Sequence, residues 1–200
     1  MGSLMQSSSQ KIKEEICIKV EGSIEKYYHY AFPMQTVLVT CTDSKGKPNI
    51  ITLAWHTPIS SKPPLYGIAI APKRYSHGLI KKSKEFVINF MPYSLVQAAQ
   101  FCGTHSGRST NKLSKTGLTL APSKKLSTPL IKEAYAHLEC KLVRSVCFGN
   151  HTLFVGKVIS VSSDKGAFKN ELLRTNQIHP LYYIGENTYT TLDRVKRKTF

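Results

Sequence analysis

The stretch Lys73-Arg74-Tyr75-Ser76-His77 gathers a guanidinium, a hydroxyl and an imidazole into one short segment. Arg74 can grip a phosphate with its planar fork, and Ser76 adds a hydroxyl donor. Ser76 also stands where a short helix over residues 76–83 would begin. As the helix cap it would leave free backbone amides and the helix dipole to strengthen an anion site. The alternative is a solvated basic loop. Arg74 and Ser76 together favour the phosphate clamp, whereas Lys81, Lys82 and Lys84 favour the solvated face. His77 suits a packing role as well as a ligand role.

Other chemistry is thin. No G-x-G-x-x-G follows a strand, no G-x-x-x-x-G-K-[ST] occurs, and there is no G-x-S-x-G elbow. The histidines at 29, 56, 77, 105, 137, 151 and 179 have no H-E-x-x-H spacing. Cys102-Gly-Thr-His105 is a single Cys/His pair, too little for a zinc site, so no metal is expected. The 12 Asp and Glu form no acid/base couple by spacing. An enzyme with this sequence would take its reactive group from a bound cofactor.

The elements that must position these residues are mostly strands. Residues 36–42, 48–55, 65–71, 85–91, 134–143 and 151–163 read as β. In 134–143, Ala136, Leu138, Cys140 and Leu142 share one face, as in a half-buried strand. Gly156 marks a bulge or bend. Residues 181–192 read as a hairpin turning at Gly185-Glu186-Asn187. Helices are expected at 76–83, at 93–103 with Gly103 as the stop, and at 166–174. Residues 106–117 are a loop or short helix. The strands do not alternate with long helices, which disfavours a doubly wound parallel sheet. The fold class is mainly β with short helices: a Greek-key antiparallel barrel.

The chain of 200 residues suits one domain, expected over 21–200 after a loosely attached lead at 1–20. Its longest apolar runs are too short to span a bilayer, and the N-terminus lacks a secretory pattern. Five cysteines without C-x-x-C suggest reduced thiols and a cytoplasmic location. The net charge of +16 attracts polyanions, but the basic residues are spread along the chain and only 194–198 are dense. No nucleic-acid motif accompanies them. A basic barrel with ten tyrosines could hold single-stranded nucleic acid, which ranks a distant third among the functions considered.

The order of four segments resembles the flavin reductase-like family of FMN-binding split-barrel proteins, which includes flavoredoxins and ferric reductases. The segments are FPMQTVLVTCTDSKGKPNIITLAW (32–55), TPISSKPPLYGIAIAPKRYSHGLIKKSKEFVINF (57–90), SGRSTNKL (106–113) and GNHTLFVGKVISV (149–161). The resemblance spans roughly residues 30–190. It implies a split barrel that dimerises, with FMN (or FAD) near the dimer interface and hydride transfer from NAD(P)H to the flavin. Electrons would pass on to free flavin, iron or a protein partner. It places Thr52, Leu53, Ala54 and Trp55 along the flavin ring and ribityl chain, and Arg74, Ser76 and His77 at the phosphate. Asn89 is a further flavin candidate. His151, Arg108 and Lys112 are candidates for the nicotinamide side. Asn150 stands where the family usually has Asp, and Asn111 and Leu113 stand for Asp and Phe. These departures bear on the nicotinamide or acceptor side and keep open a second reading, an FMN-bearing electron carrier that another enzyme reduces.

Overall fold

The computed structural model describes residues 19–192. The N-terminal lead, Cys17 and the basic tail at 194–198 lie outside the described residues, save for Lys19 and Val20. The chain divides into two compact units after Phe32. In the first, Ile24–Ala31 wind a 3-10 helix that buries no residue.

The second unit is built on one antiparallel sheet. Its strands are β2 (Val37–Thr42), β3 (Pro48–Leu53), β4 (His56–Ser60), β5 (Leu65–Ile70), β6 (Glu85–Phe90), β9 (Ala136–Phe148) and β10 (His151–Ser163). They lie in the order β3-β2-β6-β9-β10-β5-β4. Smaller sheets flank it: a three-stranded one of β1 (Met34–Gln35), β13 (Tyr182–Gly185) and β14 (Thr188–Thr190), and two pairs, β7 (Leu120–Ala121) with β8 (Leu130–Ile131) and β11 (Phe168–Lys169) with β12 (Leu172–Leu173). The two edge strands, β3 and β4, are consecutive in the chain and joined only by Ala54 and Trp55. So short a link forces the sheet to curl until its edges approach, as in a split barrel.

Alternation along β2 explains the two-sided core. Val37, Val39 and Cys41 face one cluster with Ile68, Phe86, Ile88 and Phe154. Leu38 faces the other, with Ile50, Met91, Ala99 and Cys102. Phe86 is fully buried, and its truncation to Ala would cost about 3–5 kcal/mol. The register of β10 on β9 shifts between Val155 and Gly156, which places the expected bulge. A Cβ on Gly156 would lie 2.7 Å from Phe86 Cζ and 2.8 Å from Cys140 Cβ, so the crossing of these strands requires glycine.

Among the described residues three α-helices decorate the sheet, α1 (Tyr75–Ser83), α2 (Val96–Thr104) and α3 (Lys112–Thr116), with a 3-10 turn at Tyr93–Leu95 leading into α2. Three expectations change. Helix α1 starts at Tyr75, because a turn from Ala71 O to Arg74 N (2.9 Å) sets the chain into the helix one residue early. Arg74 therefore holds the N-cap position, and Ser76 is the second helical residue, not the cap. Helix α2 runs through Gly103 and ends on His105. Residues 166–174 hold the β11–β12 hairpin instead of a helix, turned by Asn170 (φ 49°) and Glu171 (φ 64°) in left-handed conformation. No helix among the described residues is long and apolar enough to cross a membrane.

Candidate functional site

The seam between the sheet edges carries the site. Thr52 and Leu53 end β3, Ala54 and Trp55 bridge to β4, and Ala69 N donates to Trp55 O at 2.9 Å. His151 opens β10 beside them, its ring centroid 4.8 Å from that of Trp55. Together with Ala69–Ala71 these residues wall a chamber of about 340 Å³. Thr52 Oγ1 donates to Ala99 O at 2.5 Å, so its hydroxyl proton is engaged and its lone pairs remain to accept.

A second chamber, about 200 Å³, lies at the start of α1. The first amides of a helix lack intrahelical partners, and Tyr75 and Ser76, the first two residues of α1, line this space. Lys73 and Arg74 line it and are exposed. Its inner wall is polar: Asn49 Nδ2 donates to Ser76 Oγ at 2.6 Å, and both residues are buried. Behind them, burial pushes the Cys41 thiol up to about 11, against hydrogen bonds from Ser76 and Asn49 and the charge of Lys112. Lys112 itself is buried at the head of α3, where its Nζ donates to Ile50 O (2.7 Å) and Cys102 O (2.6 Å).

A third chamber, about 490 Å³, lies between α2 and the β13–β14 hairpin. Tyr183, Tyr189 and Gln100 line it, with Tyr189 Oη donating to Gln100 Oε1 at 2.7 Å. Thr36 also lines it, and Thr36 Oγ1 is the one buried side-chain polar atom without a hydrogen-bond partner among the described residues. All three chambers share Arg74 and Gly103, so they meet around one point. Gly103 lies close to the seam: an added Cβ would sit 3.3 Å from Thr52 Cβ, a tight contact that asks the Thr52 side chain to give way.

Of the residues expected at the site, the structure brings together Thr52, Leu53, Ala54, Trp55, Arg74, Ser76, His151 and Lys112. Three lie elsewhere. His77 Nε2 pairs with Thr152 Oγ1 at 2.9 Å, and its ring stands edge-on to Phe154. Burial and the Lys81 charge lower its pKa. Asn89 is fully buried. Its amide donates to Leu38 O (2.9 Å) and its Oδ1 accepts from Ile131 N (2.7 Å), so it ties strands together and lines none of the chambers. Arg108 is exposed and stacks over Tyr75, 5.4 Å from its centroid. The departures Asn111 and Leu113 are structural here: Asn111 Oδ1 caps α3 by accepting from Ser114 N, and Leu113 packs on the second core cluster.

Thr36, Gly103, Tyr183 and Tyr189 were not legible as site residues. Their only sequence signals were a strand start, a supposed helix stop and a hairpin. It is the curl of the sheet that brings them to Arg74.

A family model described as "Flavin reductase like domain" matches residues 29–192. A protein of Archaeoglobus fulgidus is 43% identical over 151 residues, covering 76% of this chain and 84% of that protein. The NADH-dependent FAD reductase of Streptomyces globisporus is 28% identical over 131 residues, 66% of this chain and 70% of its own length. Among solved structures, an FMN-binding protein from Thermus thermophilus with bound 1-cyclohex-2-enone superposes with a TM-score of 0.75 at 27% identity, covering 91% of this chain and 98% of that one. With the curled antiparallel sheet and the three chambers at its seam, the match over 29–192 settles the family: the chain belongs to the flavin reductase-like domain family.

Proposed function

We propose that this protein is an FMN-binding oxidoreductase, working as a homodimer, that takes hydride from NAD(P)H and hands electrons to free flavin, iron or a protein. The observation that carries this reading is the meeting of a small cationic chamber with two larger ones at Arg74 and Gly103. A flavin phosphate suits the first and a planar ring suits the seam. The unpartnered Thr36 Oγ1 beside the third chamber supports a ligand that carries polar groups there.

When bound, the flavin supplies the hydride-accepting ring. The chain's own residues hold and orient it. Arg74 and the first amides of α1 grip the phosphate, the lone pairs of Thr52 accept from the flavin's N–H or hydroxyl groups, and the 52–55 backbone sets the ring's height. Trp55 and His151 form the wall against which a nicotinamide would lie. Burial, with the charges of Arg74 and Lys73, lowers the pKa of His151, so it stays neutral beside the ring site.

The test is a visible absorption spectrum of the purified protein, repeated after adding FMN and desalting. Retained flavin absorbance supports the reading. Arg74→Ala should weaken FMN binding by about 10–100-fold, the worth of a charge-assisted hydrogen bond. Failure to retain any flavin would overturn it. A second reading, an FMN-bearing electron carrier reduced by another enzyme, is favoured by Asn150, which gives His151 an amide partner where the family usually has a carboxylate. Retained flavin that NAD(P)H does not bleach would select it.

A further inference from the structure

A cavity of about 790 Å³ lies beside the start of β9 and the end of β10, with the β11–β12 hairpin at its border. It shares no lining residue with the three chambers at the seam. Phe90, Leu138, Val161, Phe168 and Leu173 give it apolar walls. Val161 is 65% exposed and Phe168 43%, so apolar surface stands open to water here. The volume suits an organic molecule of about two or three rings.

The polar groups on these walls favour an anion. Tyr135 is 3% exposed, and its Oη accepts from Gln35 Nε2 at 2.9 Å. Among the described residues nothing accepts the proton of that hydroxyl. Burial holds the phenol well above its ordinary pKa, so it keeps the proton to donate. Lys124 adds a positive charge, and its backbone amide is fixed on the Glu139 carboxylate at 2.9 Å. His137 has nothing left to give: Nε2 donates to Ile131 O at 2.8 Å, and Nδ1 accepts from Ser162 Oγ at 3.2 Å. No Asp or Glu lines the cavity.

We infer that this cavity binds a small aromatic carboxylate, its rings against the apolar walls and its carboxylate on the Tyr135 hydroxyl and the Lys124 ammonium. An ionised acceptor makes the stronger hydrogen bond with Tyr135. A ligand cation would face Lys124 with no acid to balance it, and a dianion would outnumber the single lysine. The inference does not rest on the flavin reading. Gln35 lines this cavity and its neighbour Thr36 lines the third chamber, yet the two spaces have no wall residue in common. The carboxylate and FMN therefore bind together without competing.

The experiment is calorimetric titration of the full chain with 2-naphthoate, with 2-naphthylmethanol and 2-naphthylmethylamine as the neutral and cationic controls. Naphthoate should bind once per chain, at least about tenfold more tightly than either control. Tyr135→Phe keeps the ring and loses the proton, and should weaken naphthoate about tenfold. Lys124→Gln should weaken it about threefold and leave naphthylmethanol unchanged. Saturating FMN or inorganic phosphate should not displace it. No binding up to about 1 mM would overturn the inference, as would equal affinities for the three probes. Displacement by FMN or phosphate would overturn it too, by putting the anion at Arg74. Binding that disappears as protein concentration rises would give this face to a second copy of the chain and refute the site. If Tyr135→Phe does not fold, the probe ratios and Lys124→Gln decide. If the protein binds no flavin, the flavin reading fails by itself, and the phosphate arm still tests the cavity.

Discussion

His151 Nδ1 lies 2.6 Å from Asn150 Oδ1, and the carbonyl oxygen of that amide can only accept. Nδ1 therefore carries the proton, and Nε2 is the lone-pair nitrogen of a ring packed on Trp55. Asn150→Asp would put a carboxylate at the same place and raise the His151 pKa. NAD(P)H oxidation by the FMN-loaded variant should then rise about tenfold, a charged hydrogen bond replacing a neutral one. The low-pH limb of its pH profile should move upward. Stopped-flow bleaching from pH 5.5 to 8.5 checks both, and an unchanged rate with an unmoved profile would refute the role given to His151.

Acid stability should be governed by neutral histidines, His56 first. Its Nε2 faces Gln35 O at 2.9 Å and must donate, so Nδ1 accepts from Tyr66 Oη at 2.8 Å. Burial holds its pKa below the ordinary value, and His77 and His151 shift the same way. In the unfolded chain these rings take protons at about pH 6.5. As pH falls through that value the unfolded state binds protons that the folded state refuses, so stability drops with acid and is level above it. Thermal melts should show a flat Tm from pH 7 to 8 and a decline below about 6.5. His56→Gln should lower the Tm at pH 7.5, by about 1–2 kcal/mol of lost bonding, yet flatten the acid decline. An acid slope identical to wild type would clear His56 of the effect.

Gly107 and Gly46 make a contrasting pair. Gly46 sits in the β2–β3 turn at φ +77° with open space around it, so Gly46→Ala should cost about 1 kcal/mol of backbone strain and leave flavin binding intact. At Gly107 the added methyl would drive into Asn49 Oδ1. Gly107→Ala should cost about 1–3 kcal/mol and also weaken FMN more than riboflavin, because Asn49 holds Ser76 at the phosphate end. Denaturant melts and flavin titration on the two variants would separate these outcomes.

Much of the fold was written in local pattern. The strands read at 134–143 and 151–163 and the Gly185-Glu186-Asn187 turn overlap β9, β10 and the β13–β14 hairpin, but β9 runs on to Phe148 and buries His137 and Glu139, on the face its alternation assigned to solvent. What failed locally failed for reasons of context. Strand β4 was hidden by Pro58, tolerable only because β4 is an edge that spares one donor. The 166–174 segment has helix-forming residues, but Asn170 and Glu171 adopt left-handed turns that local spacing does not announce. At the site, Arg74 and Ser76 were legible because their side chains name an anion. Lys112 was ambiguous because a lysine in a polar stretch says nothing of burial. Only the packing of α3 under β3 and α2 makes it an interior cation.

A sheet that curls but does not close keeps two free edges, and free edges invite other chains to add strands. The molecule treats its two edges differently. On β4, Pro58 removes a backbone donor, and Pro63 and Pro64 follow the strand, so this border offers a poor template for aggregation. On β3, all six residues from Pro48 to Leu53 are buried or half-buried, with Thr52 tied to Ala99. What remains open of that border is the end at Thr52–Trp55, where the ligand groove begins. Among the described residues, the gap proposed to admit a flavin is thus also where the sheet could recruit a foreign strand, and an occupied groove would double as protection against self-assembly.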